Sequence, residues 1–95
     1  MRNFVAVEKS VGSFSVHDAF RITGRGWVLA GKVEGLIETG YRLNFGNGTV
    51  LQVSGVEMIR KVSADSFGLL VSNQFESRQE LIDLNIIGAT AQILE

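Results

Sequence analysis

Apolar and polar residues alternate along most of this chain, and the alternation is interrupted at glycines. Phe14, Val16, Phe20 and Ile22 alternate with Ser15, His17, Arg21 and Thr23, the period of a half-buried strand. Asp18 falls on the apolar side of that pattern. A bulge, or a carboxylate bonded to backbone amides, explains it; the sharper alternative is a pocket residue. Upstream, Phe4-Val5-Ala6-Val7 reads as a short first strand. Gly24-Arg25-Gly26 must turn the chain, since glycine tolerates the positive φ of tight turns.

Beyond that turn, Trp27, Leu29, Gly31 and Val33 share one face, with Val28, Ala30, Lys32 and Glu34 on the other. Gly31 and Gly35 fall where a strongly bent strand needs them. Glu38-Thr39-Gly40 turns into a strand over Tyr41–Phe45. The Asn47-Gly48 pair predicts a type I′ hairpin joining Tyr41–Phe45 to Thr49–Val53. Leu51 and Val53 are in phase, as are Val56 and Met58, but the two pairs are offset by one, which places a bulge at Ser54-Gly55. Lys61 to Ser66 reads as a polar connection and Phe67–Val71 as a buried strand. Ser77–Ile82 has the composition of a single helical turn, and Ile86–Leu94 reads as the last strand. Many short strands, with eleven glycines, no proline and no long helical period, predict an all-β closed barrel in one domain, residues 1–95.

Composition narrows the function. Apolar residues make up 45% and charged residues 20%, which suits a packed core rather than disorder. There is no cysteine, hence no disulfide, thiol nucleophile or thiolate ligand. The N-terminal run carries an acid and no small-residue cleavage site, and no apolar run is long enough for a bilayer, so the expectation is a cytoplasmic protein with no membrane association. The match of Asn47-Gly48-Thr49 to a glycosylation acceptor therefore carries no weight. A net charge of −1 argues against a general binder of duplex nucleic acid. A local basic patch stays open, because Arg21, Arg25, Lys32, Arg42, Arg60 and Lys61 lie in the middle of the chain.

Several chemistries are excluded. Gly26–Lys32 has the spacing of a phosphate-binding P-loop, but Val33 follows where a hydroxyl must bind magnesium, and no helix follows. His17 is the single histidine. In regular strand geometry it points away from Asp18, and alone it makes no metal site. No catalytic residue, metal or cofactor is expected. A recognition pocket remains. Glu57 could accept hydrogen bonds from a ribose hydroxyl, Arg60 joins it if the chain turns after Ile59, and Arg25 could contact phosphate or close an ion pair.

At these residues the chain resembles a known family. Phe20-Arg21-Ile22-Thr23-Gly24-Arg25-Gly26, then Val28, Gly31, Val33-Glu34, Gly35, Ile37 and Gly40, resemble the second domain of elongation factor Tu. So do Gly55–Lys61 and Gly68-Leu69-Leu70. The similarity spans roughly Phe14 to Leu94. The Gly-Val-Glu-Met run followed by Arg60-Lys61 is specific to that factor and its close relatives, whereas the turn from Ile22 to Gly26 is shared among translation GTPases. The resemblance implies a six-stranded closed antiparallel β-barrel. It also implies a surface that holds the 3′-terminal nucleotide of aminoacyl-tRNA, with Ile22, Gly24, Val28, Glu57 and Leu70 at the adenosine and Arg60 near the phosphate. Asp18 and Phe20 match the aminoacyl side, but His17, Ala30 and Ser66 depart from it. No GTPase motifs are present, so the expectation is a barrel module standing alone, with no GTP binding by this chain.

Two functions follow. One is a non-enzymatic module that weakly binds tRNA or other RNA 3′ ends, on the order of millimolar for a small site without remote anchors. The other is a protein-interaction or self-associating barrel, a homodimer for instance, that keeps the motifs for folding. Val28, Leu36 and Ile59 are the exposed apolar candidates for such a surface.

Overall fold

The computed structural model describes residues 9–58 and 66–95. They form β1 (Ser10–Ile22), β2 (Gly26–Gly35), β3 (Arg42–Asn44), β4 (Val50–Met58), β5 (Ser66–Val71), α1 (Arg78–Asp83) and β6 (Thr90–Leu94). Every pairing is antiparallel, in the order β1-β2-β5-β4-β3-β6, and β6 pairs back onto β1. The six strands thus make a ring. The expected strand over Phe4–Val7 lies outside the described residues, as do Ile59, Arg60 and Lys61.

One apolar side of each strand builds the core. Phe14, Val16, Leu29, Leu43, Leu51, Val53, Leu69, Val71, Ala91 and Ile93 point into the ring, each at most 2% exposed. Leu81 of α1 and Ile86 after it, both at 0%, join the same cluster. Burial of such side chains contributes roughly 1.5–3 kcal/mol each before entropy is counted.

The alternation along β1 does not run through unbroken. Its register to β2 slips between Val16 and Asp18, leaving His17 as the extra residue of a bulge. Phase changes there: Phe14, Val16 and Ala19 are buried, whereas Asp18 and Phe20 are exposed. The apolar face read from Phe14 to Ile22 is therefore divided, and Phe20 and Ile22 pass to the outer side. The bulge also leaves both His17 and Asp18 exposed, so regular alternation does not separate them. A second slip, between Val53 and Gly55, sits where the phase change at Ser54-Gly55 places it.

At Gly31, β2 passes so close to β1 that a Cβ would run into the Ser15 carbonyl oxygen. Only glycine permits that approach.

Two local expectations need correction. The hairpin between β3 and β4 is present, closed by the Phe45 N–H donating to the Thr49 carbonyl at 3.0 Å. Its turn is not type I′, which needs positive φ at both central residues. Gly46 and Gly48 have φ of 82° and 91°, but Asn47 is not in that region. Asn47 instead uses its side chain, Oδ1 accepting from Thr49 N–H and Nδ2 donating to the Leu84 carbonyl, each at 3.1 Å. The last strand begins at Thr90 rather than Ile86. Ile86–Ala89 is a turn closed by Ala89 N–H donating to the Ile86 carbonyl at 3.2 Å.

The helical turn expected at Ser77–Ile82 is α1. Ser77 caps it by accepting the Glu80 N–H at 3.4 Å, and Leu81 is its buried residue. Among the described residues, no helix is long and apolar enough to cross a membrane.

Candidate functional site

The outer side of β1, β2, β5 and β4 gathers most of the residues singled out in the sequence. Register sets Phe20 opposite Val28, Val28 opposite Leu70, and Leu70 opposite Gly55. Glu57 follows two residues after Gly55, on the same side of β4, opposite Gly68. Ile22 pairs with Gly26 at the end of β1. Ile22, Val28, Leu70 and Glu57 thus come to one face from four neighbouring strands.

Exposure on this face is uneven. Phe20 is 42% exposed and Leu36, away from it on the chain leaving β2, is 58% exposed. Ile22 and Leu70 are half-buried. Val28 corrects the sequence reading: it is 6% exposed, not an open apolar residue. It stands outside the core cluster and is covered on the outer side, flanked by its cross-strand neighbours Phe20 and Leu70.

The turn between β1 and β2 presents Arg25. Arg25 N–H donates to the Ile22 carbonyl at 2.9 Å, and Gly24, with φ of 81°, supplies the left-handed residue the turn requires. Arg25 Nη2 then donates to Glu57 Oε2 at 3.0 Å. The two groups proposed from sequence for phosphate and ribose are therefore bonded to each other. Both side chains are about half exposed, 52% and 57%, so the pair adds only about 0–1 kcal/mol to stability. It also ties the outer end of β4 to the turn between β1 and β2.

Asp18 and Phe20 lie further along β1. Asp18 Oδ1 accepts from the Ala19 N–H at 2.8 Å and from Arg78 Nε and Nη2 at 3.0 and 2.9 Å. The Ala19 amide first, and then the Arg78 hydrogen bonds, hold the Asp18 carboxyl below its usual range, against a smaller opposing effect of burial. Asp18 is thereby committed to anchoring the start of α1.

Among the described residues, a concave part of the surface lies beside that face, toward the turn. A depression of about 520 Å³ is lined by Arg21, Ile22, Thr23, Gly24, Arg25, Gly26 and Gln74. Ile22, Gly24 and Arg25 border it; Val28, Glu57 and Leu70 do not, and Arg60 lies outside the described residues. Arg21 faces the mouth of the ring, its Cζ 5.5 Å from the centre of the Trp27 ring. Trp27 in turn donates its indole N–H to the Phe75 carbonyl at 2.9 Å and meets the Phe75 ring edge-on at 6.3 Å.

Sequence reasoning missed the roles of Gln74 and Arg78 and gave Arg21 no specific one. Arg78 lies 60 residues from Asp18, a separation with no local signal. Arg21 was legible as the residue opposite Trp27 once the hairpin about Gly24 was drawn.

Chemically, this surface offers guanidinium groups, the Glu57 and Asp18 carboxylates, each bonded to an arginine, and apolar walls, which suit non-covalent recognition. Among the described residues, no group of three or more His, Cys, Asp or Glu side chains could hold a metal ion. No model of a known protein family matches the chain.

Proposed function

We propose that this chain is a closed six-stranded barrel of the translation-factor second-domain type, acting without catalysis as a weak binder of RNA 3′ ends, tRNA included, in the cytoplasm. The observation that carries the reading is the convergence of Ile22, Val28, Leu70 and Glu57 on one outer face. On this reading Ile22 and Leu70 offer apolar contact to the terminal base, with Val28 as the floor beneath them. The Glu57 carboxylate, steadied by Arg25, accepts from a ribose hydroxyl. Arg60 is assigned the neighbouring phosphate. Asp18, on the aminoacyl side of this reading together with Phe20, is exposed and bonded to Arg78.

Glu57→Ala tests this directly. It should abolish the RNA-induced change at Leu70 while leaving the unfolding free energy within about 1 kcal/mol of wild type, as expected for an exposed ion pair. Identical RNA response in wild type and variant would remove Glu57 from the site.

A second reading is favoured by Phe20, a large apolar side chain 42% exposed on the same face. It makes this face a docking surface for a protein or a second copy. A concentration-dependent dimer in light scattering that disappears in Phe20→Ser would favour it; a monomer at all concentrations would remove self-association.

A further inference from the structure

We infer that the depression at the mouth of the ring is an anion site for a phosphate group, adjoining the outer apolar face at Ile22 and Arg25 but centred on Arg21. Its lining is rich in donors: the guanidinium groups of Arg21 and Arg25, the hydroxyl of Thr23 and the amide of Gln74. Among the described residues that line it there is no carboxylate. Glu57 neutralises Arg25 from outside the depression, at 3.0 Å, but among the described residues no carboxylate pairs with Arg21. Arg21 is held instead by the face of Trp27, 5.5 Å from the ring centre. Such stacking orients a guanidinium while leaving its charge and edge donors uncompensated.

The support beneath Arg21 is buried and hydrogen-bonded. Trp27 is 4% exposed and is fixed by its hydrogen bond to the Phe75 carbonyl, one residue from Gln74. The Gly24 turn closes the opposite side, and a Cβ there would meet nothing within 4 Å, so the backbone is open to a ligand's approach. A planar fork beside a glycine turn is suited to a tetrahedral oxyanion, which two guanidinium groups can bind with charge-assisted hydrogen bonds. The group is a phosphate, free or carried by a nucleotide.

Three small probes test the site on labelled full-length protein at constant ionic strength: inorganic phosphate, adenosine 5′-monophosphate and adenosine. Phosphate should shift the amides of Arg21–Gly26 and Gln74 and the Trp27 indole N–H saturably, with a dissociation constant on the order of millimolar. Arg21→Gln and Arg25→Gln should each weaken it by roughly tenfold. Adenosine should leave these signals in place. Tighter binding of the monophosphate than of phosphate would assign the group to a nucleotide, and equal binding would assign free phosphate. Absence of a saturable phosphate shift, or unchanged affinity in both arginine variants, would overturn the site. RNA shifts at Leu70 and Glu57 without phosphate shifts at Arg21 would overturn it while leaving the proposed function standing. The reverse result would do the opposite.

Discussion

Arg78 donates two hydrogen bonds to a single oxygen of Asp18, at 3.0 and 2.9 Å, joining the first turn of α1 to the bulge of β1. The bulge is what makes the contact available. Without the slip at His17, residue 18 would keep the inward phase of Phe14 and Val16 and could not meet the helix from outside.

The Ala19 N–H, and after it Arg78, give Asp18 a pH dependence of definite sign. The folded-state pKa of Asp18 is depressed below its ordinary 3.8. Its contribution is therefore present above the unfolded value and lost as pH falls through the lower folded value. With side chains 53% and 57% exposed, screening limits the pair to about 1 kcal/mol or less. Urea unfolding of wild type and Asp18→Asn should differ by that amount at neutral pH and converge as pH is taken progressively below 3.8. A gap that stays constant through this range would mean that the charge of Asp18 is irrelevant.

Gly31→Ala should be among the most destabilising single substitutions in the chain. The new methyl would press on the Ser15 carbonyl, which is backbone and cannot rotate aside. Overpacking against backbone costs typically 1–3 kcal/mol or more, and chemical denaturation followed by circular dichroism should show a loss of at least about 2 kcal/mol. A near-neutral result would show that β1 and β2 can separate here without cost.

Trp27→Phe removes the indole donor and leaves the Phe75 carbonyl unpaired in a buried setting. The expected cost is about 1–3 kcal/mol, read by the same denaturation experiment. The chain segment around Phe75 should also gain faster amide exchange. Unchanged stability and exchange would mean that the indole hydrogen bond does not fasten this segment.

Much of the fold was legible because it rests on local rules. The inward set Trp27, Leu29 and Gly31 follows from simple alternation, the Ser54-Gly55 bulge from a phase change, and α1 from a short polar-apolar run ending at Ile82. What failed depended on longer-range geometry. Val28 is outward by pattern but covered, because Phe20 and Leu70 flank it across two strand pairs. Asn47 sits outside the positive-φ region and bonds Leu84, 37 residues away, a partner with no local signal. The site was legible as a set of residues and not as a state: register unites Ile22, Val28, Leu70 and Glu57, but the Arg25–Glu57 bond and the displacement of the concavity toward Arg21 could not be read from spacing.

Binding of an RNA 3′ end to the outer face can be read by an amide NMR titration of labelled protein with a short CCA-ended RNA, at low and moderate salt. Saturable shifts should be confined to the surroundings of Ile22, Gly24, Val28, Glu57 and Leu70, with an affinity that weakens as salt rises. No shift at millimolar RNA, or shifts spread evenly over the ring, would contradict it.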